Sequence, residues 1–255
     1  MLLCIDIGNT NIVLAVADHD RIIRQWRIKT VKNATPDEIG LAVKDLFECS
    51  GIKTNEIKDV IITSVVPSLI KPMEEFSLIY FNVRPLVVGD GIKIGMNLRY
   101  DDPKEVGPDR IVNGVAGYEK YHDGLIIVDF GTATTFDCIS REGEWIGGAI
   151  APGLIISCEA LFERTSRLPR IERFSKPENV IAGNTLDAMN AGIIYGYAGL
   201  VDTIVNRMKK EIGYKVMVLA TGGIAQLIVE ESETIDHLEE NLTLEGLLII
   251  YKRNR

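Results

Sequence analysis

Two stretches of the chain share one pattern of apolar and polar positions. Residues 2–16 contain an apolar run that includes Asp6, then the turn Gly-Asn-Thr-Asn, then a second apolar run. Residues 125–136 repeat this order, with Asp129 near the end of the first run and a threonine-bearing turn after it. Such a pattern predicts two β-hairpins. The two aspartates are 129 − 6 = 123 positions apart in 255 residues, so the repeat predicts two similar lobes.

The rest of the pattern alternates strands with helices. After a third strand at 21–29, helical spacing follows Thr35, and strands near 60–64 and 85–88 flank a helix over 67–80. The later predicted elements are a helix from Asp109, strands at 144–150 and 216–220, and helices at 154–164, 186–212 and 242–251. This alternation, after an opening three-strand meander, indicates an α/β protein with mixed sheets. We predict two lobes, residues 1–117 and 118–255.

Composition and charge narrow the class of protein. With 46% hydrophobic and 25% charged residues, the chain resembles ordinary globular proteins. The net charge of −8 argues against general binding of nucleic acid or of anionic membranes, because these partners select basic surfaces. No basic segment precedes an apolar core at the N terminus, and no apolar run is long enough to cross a bilayer. We therefore expect neither a signal peptide nor a membrane span.

The sequence lacks several familiar catalytic motifs. There is no P-loop and no Gly-x-Ser-x-Gly, and the Asp-Phe-Gly at 129–131 has no accompanying His-Arg-Asp loop. The three histidines lack the spacing of a metal site. The four cysteines, Cys4, Cys49, Cys138 and Cys158, lack Cys-x-x-Cys spacing. We interpret them as buried thiols in a reducing, cytoplasmic setting.

The first hairpin is a candidate phosphate site. A carboxylate in an apolar strand is costly unless it is paired, hydrogen-bonded or holding a cation. After Asp6, Gly8 allows a ligand close to the backbone, while Asn9, Thr10 and Asn11 carry groups that can face phosphate oxygens. We predict that Asp6 helps to hold hydrated Mg²⁺ against nucleotide phosphates. The alternative is that both hairpin aspartates are ordinary features of strand ends.

The segment 100–110 supplies a third candidate carboxylate. Transfer of a γ-phosphoryl group depends mainly on positioning and charge neutralisation. Asp109 is the candidate that accepts the proton of the acceptor hydroxyl, and Arg110 would orient an anionic or hydroxylated substrate. The alternative is that Asp109 only caps the following helix and that Arg110 is its solvated neighbour.

Seven motifs extend over nearly the whole chain. They are Asp6-Ile-Gly-Asn-Thr-Asn11, Tyr100-x-x-Pro-x-x-x-Gly-x-Asp-Arg110, Asp129-x-Gly-Thr-Ala-Thr134, Trp145-x-Gly-Gly-x-Ile-x-Pro-Gly153, Gly183-Asn-Thr185, Thr221-Gly-Gly223 and Leu242-Thr-Leu-Glu-Gly-Leu247. Jointly they resemble the type III pantothenate kinase family, of the acetate and sugar kinase, heat-shock chaperone and actin superfamily. The resemblance implies two similar ribonuclease H-like lobes, with mixed sheets flanked by helices and a cleft between the lobes.

The resemblance also implies an activity and its residues. The activity is ATP-dependent phosphorylation of the terminal hydroxyl of pantothenate, the first step toward coenzyme A. The implied ATP contacts are Asp6, Ile7, Gly8, Asn9, Thr10, Asn11, Ile12, Val13 and Thr132. The implied pantothenate contacts are Tyr100, Gly107, Pro108, Asp109, Arg110 and Thr185, with Asp109 as the proton acceptor.

The resemblance also implies that the protein binds cations and a second subunit. Asp129 would bind a monovalent cation, K⁺ or NH₄⁺, and Asp6 would hold the Mg²⁺ of ATP through water. The resemblance implies a homodimer with the substrate site near the subunit interface. The long glycine-containing helix after Thr185 is the expected interface element.

Two other classes are open at this point. A non-catalytic or regulatory relative would keep the fold but should lack Asp109 or Asp129, and both are present. A chaperone-like ATPase would need a substrate domain that 255 residues cannot hold. The sequence matches the family at every motif position, and only residues 230–240 are more acidic than expected of the family.

Overall fold

The structure is a computed structural model that describes residues 1–19 and 21–255. These residues form two compact units, each assembled from separate segments of the chain. The first unit comprises Met1–Gly95, Lys104–Ala116 and Thr243–Arg255, and the second comprises Met96–Pro103 and Gly117–Leu242. The division predicted between residues 117 and 118 stays a prediction. The units differ from it in the segment before Lys104 and in the last helix.

The sheet of the first unit has five strands in the order β3-β2-β1-β4-β5. The strands are β1 (Leu2–Ile7), β2 (Asn11–Asp18), β3 (Arg21–Lys29), β4 (Asp59–Ser64) and β5 (Leu86–Val87). β1 is antiparallel to β2 and parallel to β4, so the sheet is mixed. Leu3, Ile5 and Ile7 enter the apolar core of the unit. Cys4 and Asp6 alternate with them and therefore lie on the opposite face.

Two helices cover the core face of this sheet. α1 (Pro36–Cys49) and α2 (Pro67–Phe81) contribute Phe47 and Phe76 to the core. α1 begins where the sequence predicted, because Thr35 and Glu38 form a capping box. The Glu38 N–H donates to the Thr35 hydroxyl at 3.2 Å, and the Thr35 N–H donates to the Glu38 carboxylate at 2.8 Å.

The last helix of the chain belongs to the first unit. α3 (Pro108–Tyr121) begins in this unit, and α7 (Leu242–Arg253) packs against its first half. A Cβ on Gly246 would lie 2.3 Å from the carbonyl oxygen of Val112, so the two helices meet backbone to backbone. The Thr243 hydroxyl donates to the side-chain oxygen of buried Asn113 at 2.7 Å. These contacts require glycine and a small polar residue at the start of α7.

The sheet of the second unit repeats the topology of the first. Its strands are β6 (Asn97–Leu98), β7 (Leu125–Phe130), β8 (Ala133–Ile139), β9 (Glu144–Pro152), β10 (Met217–Thr221) and β11 (His237–Leu238). The order is β11-β10-β7-β8-β9-β6. β7 is antiparallel to β8 and parallel to β10, as β1 is to β2 and β4. The matched order confirms the predicted α/β class with two similar mixed sheets; β6 is an added edge strand.

Three helices follow the strands of the second unit. They are α4 (Leu154–Glu163), α5 (Thr185–Ile212) and α6 (Ala225–Val229). α5 buries Tyr197, Val201 and Val205 against Phe136 of β8, which forms the core of this unit. Among the described residues, no helix has both the length and the apolar character that a membrane span needs.

All four cysteines are free thiols. The interpretation of buried thiols is confirmed for Cys4, Cys138 and Cys158, and it is wrong for Cys49, which is exposed at the end of α1. Burial raises the pKa of the Cys4 thiol to about 12. Cys4 is therefore an inert, uncharged buried residue at neutral pH.

Candidate active site

The turn after Asp6 has a fixed backbone. The Gly8 N–H donates to the carbonyl oxygen of Asn11 at 3.0 Å, and the Thr30 hydroxyl donates to the carbonyl of Gly8 at 2.7 Å. A Cβ on Gly8 would lie 3.0 Å from the same Asn11 oxygen, so a side chain would crowd the turn. Asp6 is held half-buried where β1 runs into this turn.

The predicted ATP contacts of this hairpin fall into two groups. Asn9 and Thr10 are exposed at the tip of the turn, where their side chains are accessible to a ligand. Ile7 and Ile12 are buried in the apolar core, so only their main chain is available to a nucleotide. Val13 is the strand partner of Asp6 and lies on the same face of the sheet.

Asp129 occupies the matching place in the second unit. It is half-buried near the end of β7, and the Gly131 N–H donates back to the carbonyl oxygen of Ala133 at 3.2 Å. This bond corresponds to the one between Gly8 and Asn11 in the first hairpin. Thr132, a predicted ATP contact, is exposed at the tip of the turn.

Two glycines from other segments approach the second hairpin closely. A Cβ on Gly153 would lie 2.1 Å from the carbonyl oxygen of Thr132. A Cβ on Gly222 would lie 2.7 Å from Asp129 Oδ1 and from the backbone nitrogen of Phe130, and Gly222 has φ +102°. The sequence marked Thr221-Gly222-Gly223 only as one of the seven motifs. In the structure, its close neighbour is the Asp129 carboxylate.

Asp109 is the second residue of α3. Its Oδ1 accepts a hydrogen bond from the Arg110 N–H at 2.8 Å, and a Cβ on Gly107 would lie 2.6 Å from the same oxygen. Burial raises the pKa of Asp109, and the Arg110 N–H and guanidinium oppose this rise in part. A carboxylate whose charge is desolvated in this way has a higher affinity for a proton.

The structure contradicts the simpler interpretation of this segment. An N-cap side chain accepts from an N–H two or three residues ahead, whereas Asp109 accepts from the next residue, and the helix begins after Gly107. Arg110 is only 7% exposed and is not a solvated neighbour. Asp109 is half-buried and Arg110 is buried at the start of α3, so neither is a freely solvated side chain, and their roles in substrate binding stay predictions.

Tyr100 and Thr185 lie in the second unit. The Tyr100 ring meets the buried Trp145 ring edge-on, with centroids 5.2 Å apart, and Tyr100 is 40% exposed. Thr185 is the first residue of α5, where the Asn184 side chain caps the helix by accepting from the Asp187 N–H at 2.9 Å. Both predicted substrate contacts are thus accessible from solvent.

Thr185 also lines a cavity of about 940 Å³ in the second unit. Its walls come from α4, α5 and the segment between them, and are mainly apolar, with Leu154 and Met189 among them. Tyr197 of α5 shares a hydrogen bond of 2.9 Å with the Thr134 hydroxyl and donates to the carbonyl of Pro152. The sequence did not single out Tyr197, because an isolated tyrosine in a helix carries no motif.

The predicted site residues are distributed over both units. The hairpin at 6–13 and the segment Gly107–Arg110 belong to the first unit, whereas Tyr100, Asp129, Thr132 and Thr185 belong to the second. The donors around Asp6 and Asp129 are carboxylate, hydroxyl and amide oxygens, which suit hard cations such as Mg²⁺ and K⁺. The individual roles stay predictions.

A family model described as type III pantothenate kinase matches residues 2–207. The chain belongs to the type III pantothenate kinase family. A protein of Geotalea uraniireducens (strain Rf4) named type III pantothenate kinase is 59% identical over 255 residues, which cover 100% of this chain and 99% of that protein. Membership in the type III pantothenate kinase family confirms the resemblance found in the motifs.

Solved structures share the fold at low sequence identity. The inorganic polyphosphate/ATP-glucomannokinase of Arthrobacter sp. strain KM has a TM-score of 0.51 at 14% identity, covering 98% of both chains. Component A of the (R)-2-hydroxyglutaryl-CoA dehydratase of Acidaminococcus fermentans has a TM-score of 0.58 at 13% identity, covering 98% of this chain and 96% of that chain. Together with the type III pantothenate kinase match, these likenesses confirm the predicted fold class.

Proposed function

We propose that the chain phosphorylates pantothenate to 4′-phosphopantothenate with ATP, the first step of coenzyme A biosynthesis. The observation that carries this conclusion is the 59% identity over the full length to a protein named type III pantothenate kinase. The presence of Asp109 and Asp129 argues for a catalytic rather than a regulatory member of the family.

Asp109 accepts the proton in this proposal. The terminal hydroxyl oxygen of pantothenate attacks the γ-phosphorus, the bond from that phosphorus to the β–γ bridging oxygen breaks, and ADP leaves. The hydroxyl proton passes to the Asp109 carboxylate. An alcohol is too weakly acidic to lose this proton beforehand, so the transfer occurs late, as the bond to the leaving group loosens. Arg110, with Tyr100, Gly107, Pro108 and Thr185, orients the substrate.

The proposed ATP contacts come from the glycine turn of each unit. Residues 6–13 and Thr132 contact ATP, and Asp6 holds Mg²⁺ through water. Asp129 holds K⁺ or NH₄⁺. The cations supply neutralisation of the phosphate charge. Two glycine turns support this assignment of the ATP and cation contacts. Each turn follows one of the two aspartates, and their exposed Asn9, Thr10 and Thr132 carry hydrogen-bonding groups. The cytoplasmic setting remains a prediction based on the cysteine pattern.

The function is tested by ADP release from purified protein supplied with ATP, Mg²⁺ and pantothenate, with and without K⁺ or NH₄⁺. We expect ADP release that requires pantothenate and increases with the monovalent cation. Omitting pantothenate is the control for background ATP hydrolysis. ADP release that is indifferent to pantothenate would exclude it as the acceptor, and full activity without a monovalent cation would remove that role from Asp129.

The proposal includes a homodimer formed through α4 and α5. Of the 14 exposed large apolar side chains among the described residues, seven lie between residues 155 and 186. Such clustering is typical of a protein interface. On α5, Gly192, Gly196 and Gly199 are exposed, and a Cβ on any of them would meet open space. These glycines give a partner helix room for close approach.

We expect Ile181→Glu to convert the dimer into monomer. Ile181 is 94% exposed in the described chain, so a charge there does not disturb the core of the subunit, but it would be buried in the proposed interface. Light scattering after gel filtration should show the wild type near twice the 28.3 kDa of one chain and the variant near 28.3 kDa.

The matched control is Ile79→Glu, on α2, where the side chain is 63% exposed outside the proposed interface. This variant should remain dimeric. A monomeric wild type would overturn the dimer, and a dimeric Ile181→Glu would exclude Ile181 from the interface.

A further inference from the structure

The Thr63 hydroxyl is buried without a hydrogen-bond partner in the first unit. Thr63 lies in β4, its side chain is 0% exposed, and its Oγ1 contacts no donor or acceptor. A buried hydroxyl left in this state lowers the stability of the fold, because it loses its bonds to water and gains none. Valine has nearly the same shape and β-propensity without this cost. The hydroxyl therefore needs an explanation outside the packing of the unit.

Thr63 is the direct neighbour of Asp6 in the sheet. β1 and β4 are parallel, and their register pairs Asp6 with Thr63. Neighbouring strands are about 4.8 Å apart, and paired residues point to the same face. The preceding residues, Ile5 and Ile62, both enter the apolar core, so Asp6 and Thr63 share the other face. The Thr63 side chain thus lies on the same face as the Asp6 side chain, one strand away, where β1 enters the glycine turn.

We propose that Thr63 is a positioning residue for Asp6 when Mg²⁺ and ATP are bound. Its hydroxyl donates a hydrogen bond to the Asp6 carboxylate and holds that carboxylate in the orientation that meets the hydrated metal. This inference rests on the proposed role of Asp6 in the nucleotide site. It extends that role, because no motif includes Thr63 and its side chain cannot contact solvent.

The inference requires opposite effects on stability and on nucleotide affinity. Thr63→Val removes the unpaired hydroxyl, so the unfolding temperature of the ligand-free protein should stay the same or rise. Calorimetric titration with ATP in the presence of Mg²⁺ should show affinity weakened about tenfold, because a hydrogen bond to a charged group is lost. Thr63→Ser keeps the hydroxyl and should restore affinity toward the wild-type value. The KM for pantothenate should change in neither variant.

A matched control is Ser77→Ala. Ser77 is also 0% exposed, but its hydroxyl donates to the carbonyl of Val83 at 2.7 Å. Its loss should lower the unfolding temperature and leave the affinity for ATP with Mg²⁺ unchanged. Comparison of Thr63→Val with Ser77→Ala therefore distinguishes a hydroxyl that stabilises the fold from one that contributes to ATP binding.

Two results would overturn the inference. Wild-type affinity for ATP with Mg²⁺ in Thr63→Val would show that the hydroxyl does not act on Asp6. A lower unfolding temperature together with weaker binding that Thr63→Ser does not restore would show that Thr63 serves packing. Titration with ATP does not involve the acceptor. A wild type that binds ATP but leaves pantothenate unchanged would therefore overturn the proposed substrate and not this inference.

Discussion

Asp109→Asn is expected to lower kcat by about two or more orders of magnitude while the protein stays folded. General acid–base groups contribute about 10²–10⁴-fold to rates, and asparagine cannot accept the hydroxyl proton. Asparagine has nearly the same shape and can still accept the hydrogen bond from the Arg110 N–H, so the start of α3 should be preserved. The measurement is pantothenate-dependent ADP release at saturating substrates, with the KM for pantothenate determined in parallel.

The pH dependence follows from the raised pKa of Asp109. Burial favours the protonated carboxyl in the folded state. Its contribution to stability is therefore complete below the ordinary aspartate pKa of about 3.9, and it is lost as pH rises through the raised pKa. Above the raised pKa the buried charge of Asp109 is a cost that asparagine removes, so the variant should be no less stable than the wild type there. In the wild type, kcat/KM should fall as pH falls through the raised pKa, because only the ionised carboxylate accepts the proton.

Glu105→Gln is the control for this experiment. Glu105 is an exposed carboxylate four positions before Asp109, so its loss tests whether any negative charge in the segment matters. We expect near wild-type kcat and an unchanged pH profile. Full activity in Asp109→Asn would leave the kinase assignment in place and remove Asp109 from the chemistry.

Gly222→Ala should disrupt the second hairpin beside Asp129, the proposed cation ligand. The new Cβ would lie 2.7 Å from Asp129 Oδ1 and from the Phe130 backbone, at a residue whose φ is +102°. Backbone strain and overpacking together should lower the free energy of unfolding by about 2–6 kcal/mol. Because the displaced group is the proposed cation ligand, the concentration of K⁺ needed for half-maximal activity should rise. Chemical denaturation and K⁺ titration of ADP release measure the two effects.

Gly89→Ala separates this contact from a general effect of losing a glycine. Gly89 has an ordinary φ, and a Cβ there would meet open space. We expect unchanged stability within about 0.5 kcal/mol, as is usual at surface positions, and unchanged K⁺ dependence. Wild-type stability in Gly222→Ala would mean that the chain relaxes around the new methyl group, and unchanged K⁺ dependence would separate Gly222 from the cation site.

Local elements were predictable from the sequence because their signals are local. The two hairpins follow from apolar runs around short turns, and α5 was predicted at 186–212 and observed as Thr185–Ile212. The long helix has apolar positions at helical spacing over its whole length, so neighbouring signals reinforce each other. β6 and β11 were missed, since a strand of two residues is too short to show alternation.

Contacts between distant segments were not predictable in the same way. The alternative of a solvated Arg110 was open from the sequence, but tertiary packing buries this side chain. The approach of Gly222 to Asp129 depends on the parallel pairing of β10 with β7, which brings together residues 93 positions apart (222 − 129). Thr63 looked like an ordinary strand residue, because its significance arises only from its register with Asp6. Single-sequence patterns carry no signal for such pairings.

The placement of α7 in the first unit has a consequence for synthesis of the protein. Residues 117–242, which are 242 − 117 + 1 = 126 residues, emerge from the ribosome before the helix that packs its Gly246 against Val112. At about 5–20 residues per second this delay is on the order of ten seconds. During that time the nascent chain carries α3 without its partner, so the first unit becomes complete only after translation of the second.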